Sequence, residues 1–168
     1  HRIEFILAGG RLVALVDGAE LFRDVPKQHL DAISDFSTFV DFAEGEPVIV
    51  EGVPLQHQDL LLLMSGEVDV EAKYSPLPNA MGLNLHAISN ELFGEVSWIL
   101  GGKPTASVKC RKPCRFIRLD GVKLMDYCRA HPDLGMELIG RVAAVLARRV
   151  AHLTELMRDK ELWRFGKV

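Results

Sequence analysis

Residues 91–108 read ELFGEVSWILGGKPTASV, and this stretch decides the fold. A Phe-Gly-Glu turn at Phe93–Glu95 leads into an apolar run, and a Gly/Pro loop then leads into a strand of small residues. Such an arrangement is typical of a pocket for a small anion, because turns and helix starts present backbone N–H groups. The loop that should hold the anion nevertheless contains Lys103-Pro104 and no arginine.

The composition describes one soluble globular domain. The chain has 168 residues, of which 48% are hydrophobic and 26% charged, which is enough for a proper core. No apolar run reaches the roughly 18–20 residues that span a bilayer. The net charge of −3 provides no general attraction to nucleic acid. We therefore predict a cytoplasmic protein without a membrane segment.

The cysteines and histidines do not form a recognisable catalytic or metal site. Cys110, Cys114 and Cys128 are odd in number and lack zinc-ligand spacing, which favours reduced structural thiols in a cytosolic setting. No two histidines stand four residues apart beside a carboxylate, and no Gly-x-Ser-x-Gly motif is present. The sequence predicts neither a metal site nor an enzyme.

The N-terminal part predicts a connector followed by short helices. Two apolar stretches flank Gly9-Gly10, which favours a hairpin within residues 1–19, although their Leu and Ala content leaves a helix open. A domain is predicted from residue 20 to 168. It starts with two short helices that Pro26 separates. Their shared apolar face consists of Leu21, Phe22, Val25, Leu30 and Ile33.

The middle of the chain, about residues 36–120, predicts a small β unit. Short apolar runs alternate with corner glycines, as in a small barrel or sandwich. The tract SPLPNAMG (residues 75–82) is predicted to be a surface loop, because its prolines cannot join a ladder. The corner glycines are Gly45, Gly52, Gly66 and Gly94.

The last part, about residues 121–162, predicts helices almost throughout. Pro132 marks the start of a long helix. One of its apolar stripes should cover the β unit, and the other should pair with a second subunit, which predicts a homodimer through residues 134–160. Arg148-Arg149 is predicted to lie on a solvated or intersubunit face rather than to contact DNA. The first stripe contains Ile139, Val142, Leu146, Leu153 and Leu156, and the second contains Leu138 and Val145.

The order of these elements and four motifs resemble the cyclic nucleotide-binding domain family. The motifs, in chain order, are Leu21-Phe22, FAEGEPVIVEG (42–52), DLLLLMSGEVDV (59–70) and LFGEVSWIL…PTASV (92–108), and the resemblance covers about residues 20–155. It implies an α+β fold in which an antiparallel β-roll, a double-stranded jelly-roll-like unit, lies between short N-terminal helices and a long C-terminal helix.

The resemblance also implies a site in the cassette, which we define as residues 93–107. In the family, a Phe-Gly-Glu turn opens a phosphate-binding cassette, and this turn matches Phe93, Gly94 and Glu95. Glu95 matches the residue that accepts a hydrogen bond from the ribose 2′-hydroxyl. From the residues alone, Glu95 is equally suited to capping the helix that follows it.

The remaining cassette positions are the small residues that follow the family's arginine. They match Thr105, Ala106 and Ser107. Thr105 and Ser107 are more often strand-edge hydroxyls than ligand contacts. Trp98, which replaces a smaller apolar residue, is predicted to fill the core rather than the pocket.

The cassette arginine is missing, because the family's Pro-Arg pair falls on Lys103-Pro104. A hydrogen bond to a charged group contributes roughly 1.5–3 kcal/mol, so its loss weakens affinity about 10- to 100-fold. Lys103 offers a flexible point charge but not the planar fork of arginine.

The sequence thus predicts a non-enzymatic regulatory or sensor module that signals through its C-terminal helix. Its ligand would be cAMP or cGMP, bound weakly, or another small anion. One alternative is a ligand-free dimerisation or interaction domain of a larger protein. The other is the trimmed sensor domain of a transcription regulator, although this chain contains no nucleic-acid-binding module.

Overall fold

The structure is a computed structural model that describes residues 7–8, 11–12, 20–72, 83–88 and 91–165. Two short 3-10 helices cover Glu20–Phe22 and Gln56–Gln58. The α-helices are α1 (Lys27–Ser34), α2 (Glu95–Leu100), α3 (Gly121–Ala130) and α4 (Pro132–Phe165). The strands are β1 (Leu7–Ala8), β2 (Arg11–Leu12), β3 (Ser37–Phe42), β4 (Pro47–Ile49), β5 (Leu60–Ser65), β6 (Glu67–Ala72), β7 (Leu83–Ile88), β8 (Leu92–Phe93), β9 (Ser107–Cys110) and β10 (Cys114–Leu119).

The β strands after residue 36 form two four-stranded antiparallel sheets. One has the order β3-β10-β5-β8 and the other β4-β9-β6-β7. Gly66 turns the chain from the first sheet to the second with φ +104°, and a Cβ there would lie 2.5 Å from the carbonyl oxygen of Pro113. With α1 before the sheets and α3 and α4 after them, the predicted α+β β-roll with a long C-terminal helix is confirmed.

Strand β5 separates the hydrophobic core into two parts, one between the two sheets and one on the helix side. Its sequence LLLLM is buried on both faces, and alternate side chains point to opposite sides of the sheet. Leu61 and Leu63 pack between the sheets around Phe116. Leu60 and Leu62 pack instead against the helices. Each fully buried Leu stabilises the fold by roughly 1.5–3 kcal/mol, so β5 anchors both layers.

The predicted N-terminal helices are present. Pro26 separates the first 3-10 helix from α1, and Leu21, Phe22, Val25 and Ile33 are buried in the helix-side core. Strands β1 and β2 pair antiparallel on either side of Gly9-Gly10. The division of the chain at residue 20 stays a prediction, and the tract 75–82 lies outside the described residues.

Helix α4 buries a different stripe from the one the sequence suggested. Leu134, Leu138 and Val142 are buried against the core, and Leu146 packs beside them. Ile139, which the periodicity grouped with Val142, is 37% exposed. The two stripes were therefore divided incorrectly, because a spacing of four residues along the helix continues the buried face from Leu134 through Leu138 to Val142.

Candidate ligand-binding site

A cavity of about 60 Å³ lies between the cassette, the sheet of β4, β6 and β9, and α4. Of the predicted site residues, six line it: Phe93, Gly94, Glu95, Pro104, Thr105 and Ala106. Lys103 and Ser107 do not. Two residues that sequence reasoning did not place in the site, Ser97 and Arg149, complete its polar lining.

The Phe-Gly-Glu turn depends on the glycine at its centre. Gly94 has φ +87°, and a Cβ there would lie 2.4 Å from the carbonyl oxygen of Asp59. Both the left-handed backbone and the close approach exclude other residues without strain. The Gly94 carbonyl then accepts a hydrogen bond from the Trp98 N–H at 3.0 Å, which starts α2 and places Glu95 at the cavity wall.

Glu95 is buried, with 5% of its surface exposed, and it forms an ion pair. Its Oε1 accepts a hydrogen bond from Nη1 of Arg149 at 2.5 Å. The sequence suggested a ribose acceptor or a helix cap, and it did not suggest an ion pair with the C-terminal helix. The pairing reduces the cost of burying this carboxylate, which would be several kcal/mol for an unpaired charge.

Arg149 is the residue that joins α4 to the cassette. Its Nη2 donates to Oε2 of Glu91 at 3.0 Å and to the Leu92 carbonyl oxygen at 2.5 Å. The guanidinium carbon also lies 5.4 Å from the centre of the Phe93 ring, within the range of a cation–π contact. The guanidinium thus contacts Glu91, both residues of β8 and the first residue of α2.

The prediction that Arg149 lies on a solvated face was therefore wrong, whereas an intersubunit role of this face stays a prediction. Only 29% of its side chain is exposed. Arg149 follows Val142 by seven residues and Leu146 by three, so helical geometry places it on the same face as the buried stripe. That spacing was the available signal, and it was missed because a second arginine stands directly before Arg149.

The Gly/Pro loop holds its shape through the backbone. Pro104 is buried, and its carbonyl oxygen accepts a hydrogen bond from the Gly52 N–H at 3.0 Å. Lys103 is exposed and points no charge into the cavity lining. Thr105 is exposed at the rim, and Ala106 is half-buried. The loop therefore contributes no cationic side chain to the cavity.

Two side chains of the cassette, Ser107 and Trp98, have the structural roles that the sequence favoured. Ser107 Oγ accepts a hydrogen bond from the Glu51 N–H at 3.0 Å, as a strand-edge hydroxyl does. Trp98 is 2% exposed, and its indole N–H donates to the Gly121 carbonyl oxygen at 2.8 Å. Trp98 therefore fills the core and ties α2 to the start of α3, as predicted.

Ser97 differs from these side chains. It is 1% exposed and lines the cavity, yet its hydroxyl has no hydrogen-bond partner among the described residues. A buried, unpaired hydroxyl is destabilising unless something else binds it. Nothing in the sequence singled out Ser97, because a single serine in a short apolar helix predicts a buried structural residue.

Burial is the main cause of the pKa shifts near the site. Burial raises the pKa of Asp59, next to the Phe-Gly-Glu turn, and the nearby charge of Arg118 opposes that shift. The three cysteines are free and buried, and burial together with the neighbouring Cys114 raises the pKa of Cys110 to about 12. Burial also raises the pKa of Cys128. All three thiols are buried without a disulfide, which agrees with the structural role that the sequence predicted.

In the part of the chain that the structure describes, no three His, Cys, Asp or Glu residues are placed to hold a metal ion. Likewise, none of the described helices is long and apolar enough to cross a membrane.

No protein-family model matches the chain. Glutaminase 2 of Bradyrhizobium diazoefficiens is 28% identical over 130 residues, which are 77% of this chain. The chain spans 19% of the length of that protein.

Solved structures give a clearer answer. A cyclic nucleotide-binding domain from Methylobacillus flagellatus KT superimposes with a TM-score of 0.72 at 23% identity, over 84% of this chain and 78% of its own. This chain has the fold of a cyclic nucleotide-binding domain.

Two further cyclic nucleotide-binding folds support the assignment. The catabolite activator protein of Thermus thermophilus matches with a TM-score of 0.65 and 22% identity, over 88% of this chain and 72% of its own. The regulatory domain of Toxoplasma gondii PKA, solved with cAMP, matches with a TM-score of 0.60 and 14% identity, over 80% of this chain and 46% of its own. At these identities the likeness establishes the fold.

Proposed function

We propose that the chain is a non-enzymatic regulatory module in which a ligand in the cassette cavity competes with Arg149 and thereby controls the docking of α4. The observation that carries this proposal is the ion pair between Glu95 and Arg149. It connects the residue that matches the family's ribose acceptor to the helix that would transmit the signal.

The size of the cavity supports competition. With Arg149 in place the cavity measures about 60 Å³, whereas small-molecule pockets usually occupy about 300–1,000 Å³. A nucleotide-sized ligand fits only if the Arg149 side chain leaves. A ligand that binds the undocked state better than the docked one shifts the equilibrium toward release of α4.

The cassette itself supports weakened or altered binding. Pro104 occupies the arginine position and offers neither a side-chain donor nor a backbone N–H. Lys103 is exposed outside the lining. A cyclic nucleotide must therefore bind without the charge-assisted bonds that an arginine would supply, and it must also replace the contacts of Arg149. Binding of cAMP or cGMP is therefore expected to be weak.

The module is proposed to act within a larger assembly. The match to part of a longer glutaminase supports a regulatory unit that accompanies a catalytic domain. Related folds include a regulatory domain solved with cAMP, which supports a sensor role here. A cytoplasmic location stays a prediction.

An exposed face of α4 supports the proposed homodimer. Met136 and Val150 are 76% and 62% exposed, and the residues between them at alternating spacings of four and three are also exposed. This spacing is that of a coiled-coil seam, and small residues allow two helices to approach closely. The face consists of Met136, Gly140, Ala143, Ala147, Val150 and Thr154.

A ligand-free interaction domain is the second candidate. The same ion pair favours it, because Arg149 already occupies the cavity and can hold α4 against the cassette without any ligand. In that case α4 would stay docked under all conditions, and its exposed face would provide the function.

Thermal unfolding with millimolar cAMP and cGMP separates the two candidates. The wild type is compared with Arg149→Ala, which opens the cavity, and with Arg158→Ala, which removes an exposed arginine from the same helix. A ligand at about 100 times its Kd stabilises by roughly 2.7 kcal/mol. The proposal expects a larger shift in Arg149→Ala than in the other two proteins. If neither nucleotide changes the unfolding temperature or the hydrogen exchange of residues 145–155 in any of the three proteins, release of α4 by a cyclic nucleotide is excluded and the ligand-free domain is favoured.

A further inference from the structure

The charges around the cavity do not suit an anion. Glu91 and Glu95 both pair with Arg149, so this group has two carboxylates for one guanidinium. The cassette loop supplies no cation to the lining, because Lys103 lies outside it. If Arg149 left, two carboxylates would remain without their partner. A phosphate that displaced Arg149 would then face two negative groups, which disfavours binding of an anion at this position.

The contacts of Arg149 have the chemistry of a guanidinium-binding site. Carboxylate oxygens of Glu95 and Glu91 and the carbonyl oxygen of Leu92 accept its N–H groups. The ring of Phe93 faces its guanidinium carbon. Fixed acceptors around a planar fork, with an aromatic face beside it, are the features that bind guanidinium strongly in proteins.

Ser97 is independent support for a ligand at the same place. Its hydroxyl is buried in the lining and has no hydrogen-bond partner within the described part of the chain. Arg149 does not satisfy it, although the guanidinium lines the same cavity. A molecule that extends beyond the guanidinium position into the remaining space of the cavity would bring a polar atom to this hydroxyl.

We propose that the natural ligand of the cavity is a small molecule with a guanidinium or primary ammonium group, which takes the place of Arg149 between Glu91 and Glu95. Arg149 is then an internal stand-in for the ligand. This inference rests on the proposed function, in which occupancy of the cavity releases α4, and it names the chemical class of the occupant.

Chemical rescue tests the inference. Arg149→Ala leaves a guanidinium-sized vacancy, and ethylguanidinium at 1–20 mM, on the order of weak-ligand concentrations, should raise its unfolding temperature saturably. Tetramethylammonium is the matched probe, because it carries the charge but has no N–H donor. Arg158→Ala is the matched variant, because Arg158 is exposed on the same helix. Neither control should show a saturable rise.

The double variant Arg149→Ala/Glu95→Gln identifies the acceptor. Loss of one charge-assisted hydrogen bond weakens binding about 10- to 100-fold, so rescue by ethylguanidinium should disappear in the same concentration range. Equal rescue with and without Glu95 would overturn the inference, because the cation would then bind elsewhere.

The wild type provides a measurement that does not depend on a variant folding. Agmatine, which carries a guanidinium and an ammonium group, should compete with Arg149 and speed amide hydrogen exchange in residues 145–155. A parallel titration uses cAMP. A response to agmatine alone supports the inference. A response to cAMP alone overturns it and leaves the proposed function standing, and no response to either overturns both.

Discussion

Nη1 of Arg149 lies 2.5 Å from Oε1 of Glu95, although the two residues are 54 positions apart in the chain. One belongs to the long C-terminal helix, and the other opens the short helix of the cassette. This pair ties α4 to the cassette. Under the proposed function, a ligand that binds Glu95 in place of Arg149 removes this contact.

A double-mutant cycle measures that contact. We expect Arg149→Ala to lower the free energy of unfolding by roughly 1–3 kcal/mol, because it leaves the buried Glu95 carboxylate unpaired. Glu95→Gln should lower the free energy of unfolding less in the Arg149→Ala background than in the wild type. The difference is the coupling energy between the two side chains, which we expect to be about 1 kcal/mol or more. Urea unfolding of the four proteins gives the coupling. A value near zero would show that the pair does not hold α4, and Arg158→Ala should change stability by less than about 0.5 kcal/mol.

Gly94→Ala tests the turn that opens the site. Gly94 combines φ +87° with a Cβ position 2.4 Å from the Asp59 carbonyl, whereas Gly45 has φ +82° and open space around it. Gly45→Ala should therefore lower the free energy of unfolding only by the strain of a left-handed backbone at alanine, about 1–2 kcal/mol. Gly94→Ala should cost at least about 1 kcal/mol more, because the backbone must also shift. Equal losses in chemical denaturation would mean that the contact with Asp59 relaxes freely.

Pro104→Arg restores the cationic group that the cassette lacks. If the missing arginine limits cyclic nucleotide binding, the variant should bind cAMP or cGMP about 10- to 100-fold more tightly than the wild type. Lys103→Arg is the control, since Lys103 is exposed outside the cavity lining. Calorimetric titration gives both affinities. Unchanged affinity in Pro104→Arg would show that the paired carboxylates, rather than the proline, exclude the nucleotide.

Ser97→Ala examines the unpaired hydroxyl. Removing a buried polar group that makes no hydrogen bond should leave stability unchanged or raise it by up to about 1 kcal/mol. Ser37 is the matched control, because its buried hydroxyl donates to the Ile33 carbonyl oxygen at 2.7 Å. Ser37→Ala should lower the free energy of unfolding by about 1 kcal/mol. A comparable loss for Ser97→Ala would show that its hydroxyl has a partner in solution.

Asp59 and Asp41 should contribute to the pH dependence of stability with opposite signs. Burial raises the pKa of Asp59 in the folded state, so the native protein holds this proton more tightly than the unfolded chain does. Its contribution to stability falls as pH rises through the unfolded value toward the folded one. Arg115 lowers the pKa of Asp41, whose contribution is therefore present above the unfolded pKa and lost as pH falls through the folded value.

Asn variants separate the two carboxyl groups. Asp59→Asn should gain stability relative to the wild type on going from about pH 3 to pH 7, and Asp41→Asn should lose it over the same range. Thermal unfolding across that range measures both differences. A loss of stability in Asp59→Asn over this range would contradict the raised pKa of Asp59, and a gain in Asp41→Asn would contradict the lowered pKa of Asp41.

The sequence by itself determined the elements and their order. Local patterns identified the apolar run of β5, the helices on either side of Pro26 and the glycine turn before Glu95, because hydrophobic periodicity and the need for a positive φ are local properties. It also located most of the cassette lining. The stripe of α4 was misjudged at Ile139, since two apolar faces of one helix cannot be ranked without the sheet beneath them.

Only the tertiary structure decided what fills the site. Local patterns show on which face of α4 Arg149 lies, but they do not show that this face packs against β8 and α2. The ion pair with Glu95 depends on how α4 packs against the cassette. The unpaired state of Ser97 is equally nonlocal, because a hydroxyl lacks a partner only when every surrounding element fails to supply one. Sequence periodicity specifies faces, whereas the packing of distant elements specifies which charges meet.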